Sequence, residues 1–222
     1  MEEAMDYRFR DRKDAGLLLA QRLAEYANRD DVIVLALPRG GVPVGFEVAR
    51  ALHAPLDVFV VRKLGVPGHE ELAMGAIASG GVLVLEAEVA EQLGIPPYVI
   101  NEVAAREERE LLRREREYRD DRPEPEFRGR TAILVDDGLA TGSTMRAAVK
   151  ALRKRQPAKI VVAVPVGAPS SCAELAPEVD EIVCARTPED FRSVGEWYQE
   201  FGQTTDEEVR ALLQAAARAR SA

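Results

Sequence analysis

The chain has 222 residues, 46% of them hydrophobic and 31% charged, which is enough apolar mass for a complete core and too much for a disordered polypeptide. Acidic residues outnumber basic ones by 38 to 30, a net charge of −8, and this argues against a broad nucleic-acid-binding surface. No apolar run approaches the roughly 20 residues that a membrane-spanning helix needs, and the charged start MEEAMDYRFRDRK has no apolar signal core behind it. A single cytoplasmic domain over residues 1–222 is expected, with no nucleic-acid or membrane partner. The two cysteines, Cys172 and Cys184, are too few for a disulfide framework or a zinc site and are expected as core thiols.

In chain order, residues 14–27 (DAGLLLAQRLAEYA) have the spacing of an amphipathic helix that covers one sheet face. Runs rich in Val, Ile and Leu follow at 32–37, 56–61, 131–135, 159–164 and 181–184. They are nearly continuous rather than alternating, the pattern of strands covered on both faces. Helical patterns lie between them at 43–52, 143–155 and 170–175. Strand and helix therefore alternate, which predicts a doubly wound, mainly parallel α/β sheet with right-handed crossovers and a core over about 30–185. An excursion at 62–130 holds a glycine-rich stretch (62–81), a short strand (82–85) and a helix at 98–118 within a charged insertion of about 96–122. Its mixed charges at i,i+4 spacing fit a solvated helix packed along one edge. The tail, 186–222, carries the only Trp and ends in an amphipathic helix capped near Thr205 or Asp206.

Ligands of a parallel α/β sheet collect beyond the carboxyl ends of its strands, where loops enter helix N-termini. Three segments fall there. ILVDDGLATGST, 133–144, runs from a strand into Asp136 and Asp137, turns through Gly138 to Gly142, and starts a helix near Ser143. Backbone N–H groups of Ala140, Thr141, Gly142, Ser143 and Thr144, the helix dipole and the three hydroxyls make a phosphate cradle. The carboxylates cannot serve that phosphate, because like charges repel. They suit the vicinal hydroxyls of an attached sugar, at about 1.5–3 kcal/mol for each charge-assisted bond.

The second segment, ALPRGGVPVGFEVARAL at 36–52, ends a strand in Pro38-Arg39-Gly40-Gly41 and places Pro43 in the first turn of a helix. Its G-G-x-x-x-G differs from the G-x-G-x-x-G of dinucleotide-binding folds. The third, VVRKLGVPGHEELAMGAIASGG at 60–81, has Lys63 at a strand end and Glu70 and Glu71 before an AMGAI strand. His69 is either a contact to ligand or an exposed loop residue, and His53, ending an apolar helix, is structural.

Residues 133–144 resemble the phosphoribosyl-pyrophosphate (PRPP) loop of type I phosphoribosyltransferases, in which a hydrophobic strand leads to two acids, a few small residues and Thr-Gly-x-Thr. The resemblance covers the core from about 30 to 185 and implies that family's fold and a Mg-dependent transfer of ribose 5-phosphate from PRPP to a nitrogenous base. By the same resemblance, Asp136 and Asp137 take the ribose hydroxyls and Ala140 to Thr144 surround the 5-phosphate. Arg39, Gly40 and Gly41 resemble the pyrophosphate loop, and 62–81 the flexible catalytic loop, with Lys63 neutralising the leaving group and Glu71 as a carboxylate assisting the base. Members that use 6-oxopurines carry an Asp where this chain has Ala140, which puts hypoxanthine and guanine in doubt.

A hood over the base would come from the segment after Cys184, where Phe191, Trp197 and Tyr198 offer faces for stacking or for packing of the last helix. Magnesium would be held mainly by PRPP oxygens and water, with no metal ligand from the protein. A homodimer is common in the family. The alternative to an enzyme is a PRPP- or nucleotide-sensing protein that keeps the ligand loop without turnover. A nucleotide hydrolase is disfavoured, since no G-x-x-x-x-G-K-[ST] loop is present.

Overall fold

The computed structural model describes residues 8–120 and 122–221, and of Glu71, Ala87, Arg220 and Ser221 the backbone only. Its strands are β1 (Val32–Ala36), β2 (Leu56–Val58), β3 (Val61–Val66), β4 (His69–Ala78), β5 (Val82–Leu85), β6 (Thr131–Val135), β7 (Lys159–Val166) and β8 (Glu181–Arg186). The helices are α1 (Arg12–Arg22), α2 (Gly41–Leu52), α3 (Ala87–Gln92), α4 (Pro97–Arg119), α5 (Ser143–Lys154), α6 (Pro169–Leu175) and α7 (Asp206–Ser221).

Five strands form one parallel sheet in the order β2-β1-β6-β7-β8. Successive residues of a strand point to opposite faces, and here both faces are dry. Val32, Val34, Ala36, Ile133, Val135, Val161 and Ala163 join a cluster with α1 and α2 on one side. Ile33, Leu35, Ala132, Leu134, Ile160 and Val162 join α5 and α6 on the other. That two-sided burial is why these runs are continuous in the sequence, and it yields the doubly wound α/β fold expected.

The run at 56–61 divides where expectation had one strand. After Val58 the chain leaves the parallel sheet, and Val60 exchanges hydrogen bonds with Ser79, its N–H reaching Ser79 Oγ at 2.9 Å and its carbonyl taking the Ser79 N–H at 2.9 Å. Residues 62–81, expected as a flexible loop, instead form an antiparallel hairpin. β3 pairs with β4 from Val61↔Ala78 to Val66↔His69 around Pro67-Gly68, where Gly68 has φ +80°, and β5 extends the sheet beyond β4. A Pro-Gly pair directly after the strand supplies the turn.

The charged helix α4 runs along this small sheet with Ile100, Val103, Leu111 and Tyr118 buried. Its last turn carries an ion cluster at the edge of the large sheet: Arg119 donates to both oxygens of Asp57 at 3.1 and 3.0 Å, to Glu115 at 3.0 Å and to the Val58 carbonyl at 3.0 Å. Near its middle, Glu107 pairs with Arg62 of β3 at 2.6 Å. The insertion thus braces the hairpin against the core.

α1 starts earlier than the apolar spacing predicts because Asp11 caps it, accepting from the Asp14 N–H at 2.8 Å. It stops at Arg22 and continues as a 3₁₀ turn, Ala24–Tyr26. Cys172 and Cys184 lie at the core as expected, with their two sulfurs in contact. α7 starts as expected, with a reciprocal cap in which Thr205 Oγ1 accepts from the Glu208 N–H at 3.1 Å and the Glu208 carboxylate accepts from the Thr205 N–H at 2.8 Å. Among the described residues no helix is long and apolar enough to cross a membrane.

Candidate active site

From β1 the chain builds outward to β2, while β6 pairs on the opposite side of β1. The loops after β1 and β6 therefore diverge at the switch point of the sheet, where a crevice opens beyond the strand ends. The two loops are in contact. Leu37 N–H donates to the Val135 carbonyl at 2.8 Å, and Gly40 and Gly41 lie against Asp137 and Asp136. A Cβ on Gly40 would sit 2.1 Å from Asp137 Oδ2, and one on Gly41 2.7 Å from the Val135 carbonyl oxygen. Since the backbone at Gly40 is ordinary right-handed helical, glycine is required there for space and not for conformation.

The turn after β6 is anchored on the next strand, with Leu139 N–H donating to the Val166 carbonyl and Ala168 N–H to the Leu139 carbonyl, both at 2.9 Å. The Ser171 hydroxyl also donates to the Ala140 carbonyl. Gly142, at φ +71°, turns the chain into α5. Asp136, residues 138–145 and Val194 together line a cleft of about 170 Å³. Ala140, Thr141 and Ser143 are exposed in it and Thr144 is half-buried, and the Thr141 and Ser143 hydroxyl oxygens lie 3.3 Å apart. The sequence-predicted cradle and the first of the two acids thus share one cavity.

Asp137 is not among the residues that line this cleft. Its Oδ2 accepts from Arg12 Nε at 2.9 Å, and its backbone carbonyl accepts from the Tyr198 hydroxyl at 2.6 Å. Asp136 Oδ1 accepts from the Asp137 N–H at 2.8 Å. Burial pushes the Asp136 carboxyl well above the usual carboxylate range, and the neighbouring Asp137 adds to the push. Burial raises Asp137 as well, with the Arg12 guanidinium pulling against it.

The remaining expected residues lie around this centre. Arg39, on the pyrophosphate-like loop, faces Asp206 at the start of α7 at 3.9 Å, and Asp206 in turn accepts from the Tyr118 hydroxyl at 2.6 Å. Lys63 lines a separate groove of about 290 Å³ between the small sheet and α5, which shares Ser143 with the cleft. The side chain of Glu71 lies outside the described residues. Phe191 and Trp197 pack in a satellite cluster with Phe9, Val166 and Tyr198, and the Trp197 indole N–H is buried without a hydrogen-bond partner. His53 is exposed at the end of α2 in a left-handed conformation, and His69 is exposed at the start of β4.

Arg12, Val194 and Asp206 escape a reading of the sequence as site residues. Arg12 stands 125 positions from Asp137, and one of three arginines in a charged N-terminal segment carries no spacing signal.

This fold and site define a class: a doubly wound α/β protein with a glycine-containing turn beside an acid pair at its switch point. Residues 12–193 match the family model described as the phosphoribosyl transferase domain, and the chain belongs to that family. The Mycobacterium tuberculosis protein Rv0571c, whose name as a phosphoribosyl transferase is marked provisional, is 48% identical over 210 residues, covering 95% of this chain and 47% of that protein. The chain thus spans about half the length of the curated relatives it matches. The crystal structure of TT1426 from Thermus thermophilus is similar with a TM-score of 0.84 at 44% identity, covering 94% of this chain and 98% of that one.

Proposed function

We propose that the protein transfers ribose 5-phosphate between PRPP and a nitrogenous base. The observation that carries this reading is the shared cleft, in which Asp136 and the turn at 138–144 line one space. The 5-phosphate would sit on the N–H groups and hydroxyls of 140–144, and the ribose hydroxyls would bond the acid pair. The pyrophosphate would lie along Arg39, Gly40 and Gly41, where the Arg39 guanidinium would oppose its charge.

In the forward direction the bond from ribose C1 to the pyrophosphate oxygen breaks, and pyrophosphate departs with the electron pair. A base nitrogen then bonds to C1 and loses its proton. The site's task is to orient the reactants and oppose the charge that develops. Lys63 would serve the leaving group after the hairpin β3–β4 moves toward the cleft, and Glu71 on that hairpin would assist the base. Val194 stands in the cleft, and Phe191 and Trp197, packed just outside it, would form the supporting wall of the base site. Ala140 offers no carboxyl to a base, which disfavours 6-oxopurines.

Among the described residues no group of three His, Cys, Asp or Glu is arranged to hold a metal ion. Mg²⁺ would be bound through PRPP oxygens and water, as its preference for hydrated octahedral geometry allows. When bound it would neutralise charge on the pyrophosphate.

A second reading, a PRPP sensor without turnover, draws support from Lys63 lying in a neighbouring groove and Arg39 facing Asp206. One experiment separates the two. Purified protein is incubated with PRPP, Mg²⁺ and a panel of purines and pyrimidines while pyrophosphate release is followed. Release with at least one base is expected. Silence across the panel with PRPP bound by calorimetry supports the sensor, and absence of PRPP binding refutes both readings.

A further inference from the structure

Asp137 is the acid whose surroundings the PRPP-loop motif leaves unexplained. Its Oδ2 is wedged between the Gly40 backbone and Arg12 Nε, and the Arg12 and Asp137 side chains are only 13% and 16% exposed. Arg12 is itself fixed on two further sides. Its Nη1 donates to the Gly202 carbonyl at 2.7 Å, and its guanidinium carbon lies 4.0 Å from the centre of the Phe201 ring. One side chain thus connects the start of α1, the acid pair and the C-terminal segment.

We propose that Arg12 is a positioning residue of the sugar site, holding the Asp137 carboxylate in place and in its charged form through the bond to Oδ2. The inference rests on the PRPP reading above.

The charge arrangement supports it. The groups facing Asp137 are the Asp136 carboxyl from the end of β6, Arg12 from α1 and the Tyr198 hydroxyl from the C-terminal segment. Gly40 and Gly41 from the loop after β1 bring no charge, and Arg39 of that loop faces Asp206 instead. Two adjacent carboxyls in a partly dry site resist carrying two charges. A guanidinium bonded to one of them decides which is charged. Burial raises both acids, and Arg12 is what opposes the rise at Asp137.

Without Arg12 the pair would take up a proton at higher pH, and a protonated carboxyl is a weaker acceptor for a ribose hydroxyl. Lysine would keep the charge but not the fork of donors that reaches Gly202 at the same time.

The test uses the full chain as wild type, Arg12→Gln and Arg12→Lys. PRPP affinity is measured by calorimetry across about pH 6 to 8.5, and the titration of the acid pair without PRPP is followed by carboxyl ¹³C NMR. Arg12→Gln is expected to weaken PRPP binding about tenfold near pH 6, with the deficit shrinking toward pH 8.5 as the carboxyl ionises. The acid pair should titrate at higher pH in that variant, and Arg12→Lys should restore most of both properties. Unchanged affinity, an equal loss at every pH, or an unmoved titration in Arg12→Gln would overturn the proposal. A wild type that binds no PRPP would overturn it together with the parent reading. That outcome is distinguishable, because failure of the inference alone leaves wild-type binding intact.

Discussion

Gly40→Ala tests the contact between the two site loops without assuming any reaction. The three atoms nearest a Cβ at that position all belong to the Asp137 carboxylate: Oδ2 at 2.1 Å, Cγ at 2.7 Å and Oδ1 at 3.3 Å. A methyl group cannot occupy that space unless the carboxylate moves. A free carboxylate would rotate at little cost, but this one is tied to Arg12 at 2.9 Å, and the Asp137 backbone is tied to Tyr198 at 2.6 Å. Overpacking of a constrained site costs about 1–3 kcal/mol. For a chain of this size that lowers Tm by roughly 3 °C per kcal/mol. Displacing the carboxylate should also forfeit a charge-assisted bond to the ribose, about 1.5–3 kcal/mol, and so weaken PRPP binding by about 10- to 100-fold. The assay is a double-mutant cycle with Asp137→Ala, read by thermal unfolding and by calorimetry. Removing the carboxylate removes all three clashing atoms, so Gly40→Ala should cost less than about 0.5 kcal/mol in that background. An undiminished cost there would refute the steric reasoning.

Asp136→Asn tests the electrostatics of the cleft. A carboxyl whose folded pKa is raised favours folding at low pH, and that contribution is lost as pH rises from the unfolded value, about 3.8, through the folded one. The variant lacks this loss, so its Tm should exceed that of the unliganded wild type by a margin that opens as pH rises above about 4, while PRPP binding falls about tenfold or more. A constant margin would rule out the raised carboxyl. Arg119→Met leaves Asp57 without the Nε–H that its two oxygens share at a buried site and should cost about 3–5 kcal/mol near neutral pH, or roughly 10 °C in Tm. Burial already raises Asp57 against the pull of Arg119. The cost should therefore shrink in mildly acid solution, where Asp57 can take a proton, and a cost that grew on acidification would contradict the assignment.

The parallel core was legible because each of its signals is local. VIVLA at 32–36 and AILV at 132–135 are apolar throughout since both sheet faces are covered, and that continuity survives in one dimension. Residues 62–81 were harder to read. Their glycines suit a mobile loop as well as a hairpin, and the choice was made by α4, which lies against the small sheet and pins β3 through Glu107 and Arg62. The tail aromatics were ambiguous for a similar reason: exposure for stacking and burial for packing demand the same residue types, and the partners Phe9 and Val166 come from distant segments.

By itself the sequence determined the turn from β6 into α5, because strand, acids, glycine and helix start occupy twelve consecutive positions. Only the tertiary structure decided how the two acids differ. Asp136 opens to the cleft, while Asp137 is held by an arginine that α1 and the C-terminal segment bring to it from 125 positions away. A hydrogen bond requires atoms to meet within about 3 Å, and for residues that far apart in the chain only the packing of whole elements can bring them together.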